Sequence, residues 1–266
     1  MSLQASFDKQ AKVFDKRAGI SDQDCQSIVD NLAHFYKQTN QNNWLEIGTG
    51  TGQIGHWALR QTEKYIGMDI SEKMLDEFKG RVDTNKQINL FMVDANNQWP
   101  VESQSVSLTF SSRTIHLLSP NHVFNEIKRV HQGGYFLIGR LGRDTPDNIK
   151  DTMRAKMREI LGSLGKDSRR GEQNRKQLLD LFCEKGAKKI RPIIVTSWLE
   201  KFSPQRSIDS WSNKDGLAGQ DVDHTIKKEC MKRLRAWAEN RYGSVNYEET
   251  LKQMYIIEGV NLTSFC

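Results

Sequence analysis

The stretch Trp44-Leu45-Glu46-Ile47-Gly48-Thr49-Gly50-Thr51-Gly52-Gln53-Ile54-Gly55 decides how this chain is read. A short apolar run enters glycines at alternate positions, and a helix is predicted from about Gln53 to Thr62. Glycine at such a turn serves a sharp bend, a positive φ or close approach of the backbone to a ligand. N–H groups exposed where a helix begins suit a negatively charged group. Two patterns overlap here. Gly50, Gly52 and Gly55 fit GxGxxG, and Asp69 follows Gly50 by 19 residues, which alone points to an NAD- or FAD-binding oxidoreductase. Glu46, Gly48, Gly50 and Gly52 also fit ExGxGxG.

Strand and helix signals alternate outward from this turn. Trp44–Ile47 reads as a first strand and Tyr65–Ile70 as a second, with Ser71 as N-cap of a helix through Phe78. Asn89–Val93 and Val106–Ser111 read as further strands, His122–Val130 as a helix, and Gly133-Gly134 as a turn into the strand Tyr135–Ile138. Such alternation predicts an α/β fold, a Rossmann-like doubly wound and mostly parallel sheet. Upstream, Phe7, Ala11, Phe14 and Ala18 recur at helical spacing, as do Ile28, Leu32 and Phe35. Downstream, helices are predicted within 144–186, broken near Gly162–Gly171, and over Asp223–Arg241, with strands at Lys189–Ser197 and Met254–Leu262. A single domain over 1–266 is expected: N-terminal lid helices (1–43), a cofactor-binding core (44–142) and a C-terminal helical elaboration on the substrate side, completing the sheet (143–266).

The second and third strands separate the two patterns. Gly67-Met68-Asp69-Ile70-Ser71 runs on to Met74-Leu75, and the third strand ends Val93-Asp94-Ala95. Together with ExGxGxG, these segments resemble the motifs of the class I S-adenosylmethionine-dependent methyltransferases, over roughly residues 44–142. The resemblance implies a methyltransferase with S-adenosyl-L-methionine as cofactor. It implies that Glu46, Gly48, Gly50, Gly52, Asp69, Ile70, Met74, Asp94, Ala95 and Ser111 line the cofactor, with Asp69 on the ribose hydroxyls and Asp94 on the adenine amino group. Phe7-Asp8 and Phe14-Asp15-Lys16-Arg17 resemble the lid helix of bacterial small-molecule enzymes of the methyltransferase-type-11 group, which implies that Phe14 and Arg17 close over the cofactor. Ser107 departs from the Asp that many members carry at the start of the fourth strand.

Ligands of open α/β sheets bind beyond the carboxyl ends of the strands. That rule places His116, after the fourth strand, as the candidate general base. Arg113 and Arg140 are candidates for an anionic substrate, and Trp198 and Tyr242 for an aromatic wall. Spacing of His, Cys and acidic residues suggests no metal site.

The chain has 266 residues with 37% hydrophobic and 27% charged, and no apolar run long enough to span a membrane. Its first residues lack the apolar core of a secretory signal, so a cytoplasmic location is expected. The net charge is +6, yet Lys150–Arg191 holds 13 Lys and Arg against 6 Asp and Glu, leaving −1 for the remainder. An exposed helical face is the expectation for this stretch, and phosphate contacts of an RNA methyltransferase are the rival. A small-molecule acceptor is expected rather than nucleic acid, with the chain a monomer or homodimer. A cofactor-binding regulatory protein without turnover is the remaining alternative.

Overall fold

The computed structural model describes residues 3–8, 10–15, 19–62, 64–83, 88–166, 171–214, 216–218 and 220–264. One seven-stranded sheet runs in the order β3-β2-β1-β4-β5-β7-β6. The strands are β1 (Asn43–Ile47), β2 (Tyr65–Asp69), β3 (Asn89–Met92), β4 (Val106–Ser112), β5 (His131–Arg143), β6 (Lys188–Phe202) and β7 (Glu249–Asn261). The pairs β1–β2, β2–β3, β1–β4 and β4–β5 are all parallel. The chain leaves β1 towards β2 and β3 on one side, then returns to its other side at β4. This reversal opens a crevice above the carboxyl ends of β1 and β4.

The chain divides into two compact units: residues 1–140, 171–196 and 255–266 form one, and 141–170 and 197–254 the other. The first buries Leu45, Ile47, Met68, Phe136, Phe182 and Val260 between the sheet and its helices. All seven residues of β4 are buried, as a strand covered on both faces must be. Its helices are α1 (Leu3–Asp8), α2 (Asp22–Tyr36), α3 (Gly55–Ala58), α4 (Glu72–Lys79), α5 (Pro120–Val130) and α7 (Gly171–Glu184). Ser21 and Asp24 form a reciprocal capping box at the start of α2. Ser71 caps α4 by accepting the Met74 N–H at 3.2 Å.

The second unit has a separate core of Met153, Met157, Leu161, Phe202, Cys230 and Leu234. It contains α6 (Ile149–Ser163), α8 (Pro204–Ser212) and α9 (His224–Tyr242). No described helix is long and apolar enough to cross a membrane.

Three local expectations need correction. The helix after the glycine turn is only Gly55–Ala58, flanked by turns rather than reaching Thr62. Gly133-Gly134 lies inside β5, with φ of +90° and +87°, where the β4–β5 register shifts. A Cβ on Gly134 would stand 2.0 Å from the Ser107 carbonyl oxygen, so the glycines let β5 bulge past β4. Helix α8 was not anticipated, although Ser203 caps it and Pro204 opens it. The basic 150–191 stretch is divided between the units: α6 lies in one and α7 in the other. Several of its charges have acidic partners, such as Lys156 with Glu159 at 2.6 Å and Arg154 with Asp151 at 4.0 Å.

Candidate active site

A cavity opens at the carboxyl ends of β1–β4 in the first unit, and its floor is the glycine turn. The Gly48 and Thr49 N–H groups donate to the Met68 carbonyl at 2.8 and 3.0 Å, fixing the turn to β2. Gly48, Gly50 and Gly52 all hold positive φ, of +70°, +57° and +72°. Gly50 lines the cavity, and a Cβ there would meet nothing within 4 Å, so its bare backbone faces open space. A Cβ on Gly48 would instead lie 2.0 Å from Thr114 Oγ1. Gly48→Ala is therefore expected to destabilise the fold by about 2–4 kcal/mol, through overpacking and a strained φ. Thermal unfolding should show a Tm roughly 5–10 °C lower. Thr114→Gly in the same chain should recover part of the loss.

Asp69 closes β2 beside this floor. Its carboxylate accepts the Gly50 N–H and the Ser71 N–H, both at 2.9 Å, so it clamps the turn to the start of α4. Burial, with Asp8 adding to it, raises the Asp69 pKa despite those hydrogen bonds. Glu46 is buried beneath, accepting the Tyr65 hydroxyl at 2.6 Å. Tyr65 Oη also lies 2.8 Å from Thr49 Oγ1. Burial pushes the Glu46 pKa up to about 8. Asp94 follows β3 and accepts the Asn96 N–H at 2.9 Å, while Ile70, Met74 and Ala95 supply apolar lining between the acids.

The N-terminal segment furnishes another wall. Phe7 and Phe14 line the cavity, and the acid after each accepts a hydroxyl from a neighbouring element, the start of α4 or the glycine turn. Ser71 Oγ donates to Asp8 at 2.5 Å, and Thr51 Oγ1 donates to Asp15 at 2.6 Å. Arg81 also pairs with Asp15.

The arrangement offers carboxylates for ligand hydroxyl or amino donors, bare backbone for close approach, and apolar slots between them. Residues 45–138 match the family model of the methyltransferase domain, Methyltransf_11. Residues 45–138 thus form a methyltransferase domain.

Solved structures agree with the methyltransferase in fold. A candidate type II methyltransferase of Anaeromyxobacter dehalogenans superposes with TM-score 0.54 at 13% identity, covering 89% of this chain and 96% of the other. A candidate methyltransferase of Bacillus halodurans gives 0.51 at 14%, covering 87% and 98%. A geranyl diphosphate C-methyltransferase of Streptomyces coelicolor, solved with S-adenosyl-L-homocysteine, gives 0.47 at 11%, covering 87% and 78%. No curated protein matches the sequence significantly.

Of the residues singled out in the sequence, the methyltransferase brings Phe14, Glu46, Gly48, Gly50, Asp69, Ile70, Met74, Asp94, Ala95 and Arg113 to one cavity. Gly52 packs beneath the turn, where a Cβ would collide with Phe78 at 2.2 Å. Arg17 lies outside the described residues. Ser111 is placed differently: it is buried, donating to the Ile47 carbonyl at 2.9 Å, and its neighbour Ser112 lines the cavity instead. A one-residue step along a strand turns the side chain to the other face.

His116 is exposed on the 3₁₀ turn Ile115–Leu117 and is not among the lining residues. Such a turn has about three residues per revolution. Ile115 is buried and Leu117 faces the cavity, so the middle residue turns outward. Arg140 pairs with buried Glu258 at 3.0 Å. Trp198 and Tyr242 belong to the second unit, where Tyr242 stacks on Tyr247 with centroids 5.7 Å apart. Thr49, Gln53, Thr114 and Leu117 were missed as lining residues. Thr49 carried a signal, since a small hydroxyl residue between turn glycines sits at the ligand-facing backbone. The others depend on tertiary placement.

Proposed function

We propose that the chain transfers the methyl group of S-adenosylmethionine to a small-molecule acceptor. The observation that carries this reading is Asp69, already clamping Gly50 and Ser71, at the edge of a cavity that also holds Asp94 and Glu46. Bound S-adenosylmethionine supplies an electrophilic sulfonium methyl. Asp69 would accept from the ribose hydroxyls and Asp94 from the adenine amino group, with Ile70, Met74 and Ala95 against the base. Bare backbone at Gly50 lets the ligand approach closely. Glu46 beneath the turn favours a cationic ligand when ionised.

The chain's part in methyl transfer is mainly orientation and exclusion of water, which can supply a large share of an in-line displacement. Among the described residues, the ionisable side chains lining the cavity are Glu46, Asp69, Asp94 and Arg113, with no histidine. The reading therefore gives the acceptor's proton no buried histidine to go to, and favours a nucleophile that needs little help in losing it. A compact acceptor is supported by Phe7 and Phe14, which narrow the cavity with apolar surface.

The test is a native extract divided into metabolites and RNA, each incubated with the chain and methyl-labelled cofactor. Label in discrete low-mass compounds is expected. Label confined to RNA would reject the small-molecule acceptor, and no label in either fraction would reject turnover.

A further inference from the structure

Arg113 is the one basic residue among the described residues that line the cavity. It follows β4 with φ of +61°, a left-handed conformation that a non-glycine residue adopts only at a cost. Its Nε is buried with no hydrogen-bond partner. Nη2 reaches Gln53 Oε1 only at 3.5 Å, the outer limit of a hydrogen bond, and the guanidinium lies 5.0 Å over the Phe14 ring. No ion pair engages it among the described residues. Burial lowers its pKa, with Asp15 and Glu46 opposing that effect from nearby. A desolvated cation held in a strained backbone and left with an open donor is built for an anion that arrives with a ligand.

Sheet order indicates which anion. Asp94, Asp69, the glycine turn and Arg113 follow β3, β2, β1 and β4, which are successive neighbours. With strands about 4.8 Å apart, the end of β4 lies roughly 10 Å from the end of β2. S-adenosylmethionine presents its groups in the same sequence: adenine amino group, ribose hydroxyls, sulfonium, then an amino-acid end with a carboxylate. Acids stand where the ligand offers donors, and the cation stands where it offers its only negative charge.

We infer that Arg113 binds the amino-acid carboxylate of the cofactor. The inference rests on the cofactor placement proposed above, and it moves Arg113 from acceptor recognition to cofactor recognition.

The test compares S-adenosylhomocysteine with its decarboxylated analogue, which keeps the amine and lacks only the carboxylate. Titration calorimetry is run on the full chain and on Arg113→Gln, Arg113→Lys and Arg17→Gln. The unaltered chain should prefer S-adenosylhomocysteine by about 10- to 100-fold, the range of a charge-assisted pair. Arg113→Gln should abolish that preference and leave the analogue's affinity within about twofold, which also reports a folded site. Arg113→Lys should retain part of the preference. Equal weakening of both ligands by Arg113→Gln, no weakening of either, or loss of the preference only in Arg17→Gln would overturn the inference. Failure of the unaltered chain to bind either ligand would instead reject the cofactor placement itself.

Discussion

Asp69→Ala should weaken S-adenosylhomocysteine binding by about 100- to 1,000-fold, measured by calorimetry on the full chain. The expected loss has two sources. The first is the direct loss of charge-assisted hydrogen bonds to the ribose, at about 1.5–3 kcal/mol for a bond to a charged group. The second is internal. The same carboxylate accepts the N–H groups of Gly50 and Ser71, so alanine releases the turn from α4 and leaves two backbone donors without that partner. Asn would fare little better, because one of its ends is an amide donor facing a backbone donor. Since the site forms locally at the strand ends, the loss of affinity should exceed the loss of stability. An affinity unchanged within threefold would remove Asp69 from the cofactor site.

Glu46→Gln should raise stability at neutral and alkaline pH while impairing cofactor binding. The Glu46 carboxyl has a folded pKa of about 8 against an ordinary 4.5, and burial is the main cause. An acid with a raised folded pKa is stabilising while protonated. Its contribution is complete below pH 4.5 and is lost as pH rises through 8, because the unfolded chain ionises first. The span corresponds to a loss of up to about 5 kcal/mol, an order-of-magnitude figure. Glutamine stays neutral and still offers an oxygen to the Tyr65 hydroxyl, which donates at 2.6 Å in the parent. Tm measured from pH 4.5 to 9 should show the two chains converging at the acid end, with the variant ahead at the alkaline end. A constant offset across that range would mean that Glu46 does not titrate between the two values. Binding should move the opposite way. Affinity of the parent for the positively charged cofactor should rise with pH towards 8, and that of the variant should stay flat.

These two acids also show how far the sequence could be read. Asp69 and Asp94 were legible because Asp69 ends β2 and Asp94 follows β3 by two residues, each next to a helix start or turn, and local spacing alone puts them at carboxyl ends. The glycine turn was legible for the same reason: its positive φ values are demands on single residues. What local pattern did not determine is direction and partnership. His116 follows the right strand but points outward between Ile115 and Leu117. Ser111 and Ser112 are alike in sequence and opposite in facing. Arg140 ends in a pair with Glu258, which lies 118 residues further along the chain and has no local signature. In the second unit, the core of Met157, Leu234 and Leu251 gathers residues from distant segments, so helical periodicity could suggest elements there without fixing their assembly.

The two Phe-Asp pairs of the N-terminal segment bear on timing. Phe7 and Phe14 face the cavity, while Asp8 and Asp15 hold hydroxyls that belong to the cofactor motifs. On the proposed reading, these two Phe-Asp pairs would both shield a bound nucleoside and fasten to the motif residues on which it would rest. Exchange of spent cofactor would then involve those fastenings as well as the ligand's own contacts. On that reading, residence time of the by-product would depend on the contacts of Asp8 with Ser71 and of Asp15 with Thr51 and Arg81. By-product inhibition is therefore the quantity expected to respond to changes at Asp8 and Asp15.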